Sequence, residues 1–144
     1  MRVLGFNFTK LSVEKKDDAK SLKDLKINTN VEISEIKEAK TDVLKTDEEF
    51  VAVSFVFEVE YSPNIAKIEI KGSTLFSMSP KKVKEVLTQW EDKKMPEDFK
   101  TALFNLILRK ASIRALEFEE EMSLPAHLPL PRVGGSRTEE KKDK

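Results

Sequence analysis

The sequence has no cysteine and a single histidine, His127. The lack of cysteine excludes a disulfide framework, thiolate metal clusters and cysteine nucleophiles. One histidine cannot form a multi-histidine metal site. The only adjacent glycines, Gly134 and Gly135, lie near the C-terminus, so no glycine-rich loop is placed to cradle a phosphate. We therefore expect the protein to use no metal, nucleotide or other cofactor.

Net charge is absent as well, because 26 basic residues balance 26 acidic ones. A general nucleic-acid binder usually shows a strong basic excess, so we expect no nucleic-acid partner. No apolar run approaches the roughly 20 residues that span a bilayer, and the apolar N-terminal stretch is too short for a signal peptide. These features predict a soluble, cytoplasmic protein without membrane insertion.

The chain is long enough to bury a core of its own. Its 144 residues are 39% hydrophobic and include nine phenylalanines, while 36% are charged, above the usual share of about 25%. We expect one domain over residues 1–133. Residues 134–144, which follow the last apolar stretch, are polar and charged, and we expect them to form a disordered tail.

The first two thirds of the sequence predict four strands, at about residues 3–13, 27–36, 50–61 and 65–78. The third is the clearest, with an apolar residue at every second position from Val51 to Tyr61. Phe50, Ala52 and Val56 make its other face apolar too. A strand with two apolar faces is typically covered on both, here by a helix on one side and by a subunit or ligand on the other.

Two irregularities are expected within these strands. In the first strand the apolar positions change parity after Phe8, which predicts a bulge. In the fourth, Gly72 interrupts the apolar face, which predicts a bend or a close approach of another backbone.

The last third predicts two helices. The first begins at Ser79 and Pro80, a typical N-cap and first helical residue, and ends near Lys94. The second begins after Pro96 and continues to about Met122, a length of roughly 37 Å. Strands followed by helices predict an α+β fold, a four-stranded antiparallel sheet with two C-terminal helices on one face. Residues 124–133 contain three prolines and should be extended.

No combination of residues predicts catalysis, so we expect a protein that is not an enzyme. We interpret His127 as a partly exposed loop residue. The run Glu119 to Glu121 indicates a solvated helix end rather than a cation site. The lysines near Trp90 fit an amphipathic helix with one core tryptophan better than a nucleic-acid patch.

The sequence holds more apolar residues than one sheet-to-helix layer needs, and this excess is its main functional signal. The surplus could be covered by the long helix and the proline-rich segment, could form a subunit interface, or could line an open groove for extended polypeptide. The candidate polypeptide-binding residues are apolar and have no secure position in the expected core: Phe50, Val56, Leu75, Trp90, Leu128 and Leu130.

Four local passages stand in an order that matches a known family. They are residues 6–13 (FNFTKLSV), residues 72–78 (GSTLFSM), the helix start at residues 96–109, and residues 124–133 (LPAHLPLPRV). They resemble the opening strand, the end of the fourth strand, the long helix and the Leu-rich Pro-Val stretch of the SecB export chaperones. The second helix is longer here, and the tail does not match the family's translocase-docking tail.

This resemblance implies an ATP-independent holdase that binds unfolded polypeptides in apolar grooves. It also implies a homotetramer built as a dimer of dimers, and a role in protein export. It leaves open whether the clients are exported proteins or, for instance, an unstable antitoxin. The alternative is an oligomeric scaffold or adaptor that binds one specific folded partner.

Overall fold

The computed structural model describes residues 1–16, 24–39 and 48–134. The predicted α+β fold is confirmed, with strands β1 (Arg2–Lys15), β2 (Lys26–Ala39), β3 (Glu49–Ser62) and β4 (Ala66–Met78), then helices α1 (Pro80–Trp90) and α2 (Glu97–Glu121). β1 and β2 run further than predicted. The added positions include charged residues, such as Glu14 and Lys15 in β1 and Lys37 and Glu38 in β2. The expected tail lies outside the described residues, apart from Gly134.

The four strands form one antiparallel sheet in the order β1-β4-β3-β2. The hairpin of β3 and β4 lies at its centre, and β1 and β2 are its edges. The bulge predicted in β1 is present, with register shifts between Val3 and Gly5 and between Phe8 and Lys10. β2 carries a further shift between Ile33 and Glu35. Bulges and charges at both edges hinder uncontrolled strand pairing.

Gly72 marks the close approach that the sequence predicted. A β-carbon at this position would lie 2.5 Å from the carbonyl oxygen of Asn7 and 2.8 Å from the ring of Phe55. The absence of a side chain thus leaves room for the Phe55 ring beside Gly72, where the ring centroid is 5.4 Å from that of Phe6.

Both helices cover the same face of the sheet. Every second residue of β3 from Val51 to Tyr61 is buried there, against α1 residues such as Val83 and Val86 and the α2 residues Phe99, Leu103 and Ile107. On the opposite face, Ala52, Ser54 and Val56 are half-buried. Within the described ranges, the cover expected on both faces of β3 is therefore complete on one face only.

The helix ends follow the local sequence. Ser79 caps α1 by accepting a hydrogen bond from the backbone N–H of Lys82 at 3.3 Å. α1 ends at Trp90, earlier than predicted, because the chain turns and Lys93 adopts a left-handed conformation. Neither described helix is long and apolar enough to cross a membrane.

Candidate polypeptide-binding cleft

Residues 124–134, here called the C-terminal segment, fold back along α2. The reversal occurs at Ser123, which has a φ of 56°. Leu124 then donates a backbone hydrogen bond of 2.8 Å to the carbonyl oxygen of Glu119 and is itself buried. As predicted, the segment forms no helix, and the chain bends at His127 and Leu128.

A buried polar network fixes the segment to the sheet and to α2. The hydroxyl of Tyr61 lies 2.7 Å from Oε2 of Glu119 and 2.7 Å from the carbonyl oxygen of Pro125. Nδ1 of His127 lies 2.9 Å from the same Oε2, and Nε2 of His127 lies 3.2 Å from Oγ of Ser112. The network therefore joins the C-terminal segment to the preceding helix α2 and to β3, which lies far from both in sequence.

The interpretation of residues 119–121 as a solvated helix end is wrong for Glu119, whose side chain is only 2% exposed, whereas Glu120 and Glu121 are exposed. His127 is half-buried and lies outside the helices and strands, as expected, although its side chain is only 3% exposed. The run of three glutamates hid this difference, because only its first member faces the core. Within a helix, successive residues point in different directions, and Glu119 follows Ala111 and Ala115 on the buried side.

Burial has a clear electrostatic effect on Tyr61. Its side chain is 1% exposed, and this burial, together with the hydrogen bond to Glu119, raises the pKa of the phenol above its usual range. Tyr61 thus remains a neutral hydrogen-bonding group. The ring of Phe57 packs edge-on against His127 with centroids 6.0 Å apart, which shields the network from the sheet side.

Ser112, His127 and Glu119 are connected in the order of a catalytic triad. Their surroundings differ from those of a nucleophile site. Ser112 lies in the middle of α2, where the helix itself uses the backbone N–H groups that an oxyanion hole would need. The arrangement is suited to holding the C-terminal segment in place.

A cleft opens between the second half of α2 and the C-terminal segment. Its volume is about 890 Å³, and its apolar wall is formed by Leu116, Phe118, Leu124, Ala126 and Leu130. Glu117, Glu120 and Glu121 also line it, and Arg114 pairs with Glu117 at 2.6 Å. The cleft therefore combines apolar surface with an acidic rim and can bury apolar side chains of an extended chain.

The six candidate residues do not form one site in the single chain. Phe50, Val56 and Leu75 lie on the sheet face opposite the helices, where Phe50 is 6% exposed and the other two are half-buried. Trp90 is half-buried at the end of α1, with the Lys93 ammonium 4.5 Å from its ring. Leu128 is half-buried and Leu130 is 54% exposed on the C-terminal segment. Only Leu130 lines the cleft.

Sequence reasoning missed most of the cleft and all of the network. Leu116 and Leu124 line the cleft but were not among the candidate binding residues. The segment's three prolines with alternating apolar residues carried the usable signal, because an extended apolar stretch must lie on a surface. No group of metal-binding side chains occurs within the described ranges.

Comparison with known proteins supports the fold. No protein-family model matches the sequence, and no curated protein matches it either. Among solved structures, the chain is similar to the SecB-like chaperone Rv1957 of Mycobacterium tuberculosis, solved in complex with a ChAD peptide from the HigA1 antitoxin Rv1956. The TM-score is 0.51 at 14% sequence identity, over 92% of this chain and 90% of that one. The fold is SecB-like.

Proposed function

We propose that this protein is an ATP-independent holdase, which keeps non-native polypeptides from aggregating, and that an extended client segment binds in the cleft. The observation that carries the proposal is the apolar wall shared by α2 and the C-terminal segment, in a chain whose fold is SecB-like. The similar chaperone was solved with a bound peptide, which supports polypeptide as the class of ligand.

The composition of the cleft supports breadth rather than narrow specificity. Burial of apolar surface contributes about 25 cal/mol per Å² and is non-directional, so many apolar segments would bind with similar affinity. The acidic rim of Glu117, Glu120 and Glu121 disfavours acidic segments. Binding of this kind needs no nucleotide and no covalent chemistry, so the proposed role is not enzymatic.

The other candidate residues keep a place in the proposal. Leu128 adjoins Leu130 on the segment, and Trp90 and the sheet-face residues Val56 and Leu75 offer further partly exposed apolar surface. Phe50 would contact a client only after a local rearrangement, because it is nearly buried. Each of these residues would serve equally well at a contact between subunits.

Self-association is part of the same proposal. On α2, Leu108 is 38% exposed and Ile113 is 52% exposed. Exposed large apolar residues on a long helix favour packing against a second copy. We expect a homotetramer, built as a dimer of dimers, and light scattering should then give a mass near four chains. We also propose that the protein acts in the cytoplasm and has a role in protein transport; the only support for the transport role is the SecB-like fold.

The second candidate function is an adaptor that binds one specific partner. The peptide bound to the similar chaperone comes from one antitoxin. This observation favours the alternative that the present protein binds a single partner or a few partners. The two functions differ in breadth. A holdase suppresses the aggregation of unrelated denatured proteins, whereas an adaptor does not.

The test is aggregation of two unrelated denatured proteins without ATP, with the parent chain, Leu130→Asp and Val3→Asp. Val3 is a matched control, because it is 47% exposed but lies at the opposite end of β1 from the cleft. We expect the parent and Val3→Asp to suppress aggregation of both clients, and Leu130→Asp to suppress it much less. If the parent chain suppressed the aggregation of neither client, the holdase proposal would be overturned. If Leu130→Asp and Val3→Asp suppressed aggregation equally well, the cleft would not be the binding site.

A further inference from the structure

Two buried side-chain atoms at the cleft lack a hydrogen-bond partner. They are Oε1 of Glu119 and Nε of Arg114, and neither has a partner among the residues that the structure describes. Both residues line the cleft. Oε1 is an acceptor, whereas Nε of a guanidinium carries a donor N–H. A buried polar atom without a partner is rare in folded proteins, because it has lost its hydration and gained nothing in exchange.

The other polar atoms of these two side chains are already engaged. The Tyr61 hydroxyl donates to Oε2 of Glu119 at 2.7 Å, and Nδ1 of His127 lies 2.9 Å from the same oxygen. The two oxygens of a carboxyl group point in different directions, so Oε1 is left out of this network. Nη1 of Arg114 donates to Glu117 at 2.6 Å. Each side chain is therefore held at one end and keeps one free group for a ligand.

We propose that these two groups bind the main chain of the client. An N–H of an extended client donates to Oε1 of Glu119, and a C=O of the same client accepts from Nε–H of Arg114. The inference rests on the proposed function and specifies how the cleft holds its ligand. Every residue except proline offers both main-chain groups, so these contacts add affinity without selecting a sequence.

The spacing of the two residues fits an extended chain. Five positions on α2 separate Arg114 from Glu119, or about 7.5 Å along the helix axis. An extended chain covers about 6.7 Å in two residues, and residues two apart direct their N–H and C=O groups to the same side. The Arg114 side chain is 39% exposed, so it can move aside as a client chain enters.

Replacement of single amides by esters in a peptide probe tests the contact to Glu119. The probe is an uncharged peptide with blocked ends and one apolar cluster, leucine-phenylalanine-leucine, between serines. Each ester exchanges one main-chain N–H for an oxygen. With the parent chain, we expect one ester position to weaken binding about tenfold, because it removes the donor to Oε1, and esters elsewhere to have much smaller effects.

Glu119→Gln separates this hydrogen bond from packing. Because the Tyr61 hydroxyl donates to Oε2, the glutamine oxygen takes that place and its NH₂ group replaces Oε1. The variant should bind the all-amide probe about tenfold more weakly and should be insensitive to the ester that affects the parent. Glu120→Gln makes the same chemical change at an exposed residue of the cleft and should keep the sensitive ester position of the parent.

Arg114→Lys tests the second contact. It removes Nε–H but keeps a cation that can pair with Glu117, so it should weaken the binding of every probe by a similar factor and leave the sensitive ester position unchanged. Arg109→Lys is the matched control, because Arg109 is exposed on the same helix and does not line the cleft. Equal affinities of Arg114→Lys and Arg109→Lys would remove Arg114 from the proposal.

Equal affinity of the parent for all the ester probes would overturn the main-chain contact and leave the holdase proposal standing. The same ester profile for Glu119→Gln and Glu120→Gln would overturn it as well. If circular dichroism shows that Glu119→Gln does not fold, the ester series on the parent decides. A parent chain that does not bind the probe also overturns the contact, and the aggregation assay then shows whether the holdase proposal fails with it.

Discussion

The hydroxyl of Tyr61 lies 2.7 Å from Oε2 of Glu119, although 58 residues separate them in the sequence. The contact ties the end of β3 to the last turns of α2, and the C-terminal segment is held at the same point by its Pro125 carbonyl. One phenol thus connects the sheet, the long helix and a wall of the cleft.

Removal of this hydroxyl should destabilise the protein. Tyr61→Phe leaves the Pro125 carbonyl and the Glu119 carboxyl without their buried partner, so we expect the free energy of unfolding to fall by about 1–3 kcal/mol in urea denaturation. Ser12→Ala is the control, because its hydroxyl lies 3.5 Å from a carbonyl oxygen at a partly exposed edge and should contribute less than about 0.5 kcal/mol. Equal losses for the two variants would contradict the role of the network.

Ionisation of the only tyrosine should report global unfolding. Because burial raises the pKa of Tyr61 in the folded chain, the stability this group contributes is complete below its unfolded pKa of about 10 and is lost as pH rises above it. In an alkaline titration, we expect phenolate absorbance to appear together with the loss of the native circular dichroism signal. Ionisation near pH 10 in a chain that remains folded would show that Tyr61 is accessible to solvent.

The close approach at Gly72 predicts a large difference between two glycines of the sheet. Gly72→Ala forces a β-carbon against the Asn7 carbonyl and the Phe55 ring, and we expect a loss of about 1–3 kcal/mol in unfolding free energy. Gly5→Ala is the matched control, since nothing lies within 4 Å of the added carbon. If urea denaturation gave the two variants the same stability, the packing described around Gly72 would be wrong.

The local signals in the sequence were sufficient for the fold. The period of two in β3, the parity change after Phe8, the Ser79-Pro80 start and Gly72 each depend on neighbouring residues, so one sequence can display them. The strand ends were less accurate, because the edge strands β1 and β2 carry charged residues on their solvent side and resemble loops in composition.

The candidate site could be predicted only in part, because it depends on how the C-terminal segment folds back on α2. The one local signal that separates Glu119 from Glu120 and Glu121 is its position four residues after Ala115 on the buried side of α2. Its polar partners, Tyr61 and His127, are brought to it by the tertiary fold. The same reason explains the candidate residues. Leu130 was found because an extended apolar segment needs a surface, whereas Phe118 and Ala126 contribute to the cleft through the way that segment docks.

Site-specific crosslinking can show whether clients bind in the cleft, because a cysteine can be introduced at one position of a chain that has none of its own. A photoreactive group attached to Leu130→Cys would sit at the cleft, and the same group on Val3→Cys would sit at an equally exposed position at the other end of β1. With two unrelated denatured proteins as clients, we expect crosslinks from position 130 to both and few from position 3. Crosslinks of equal yield from the two positions, or none from position 130 while aggregation is still suppressed, would contradict client binding in the cleft.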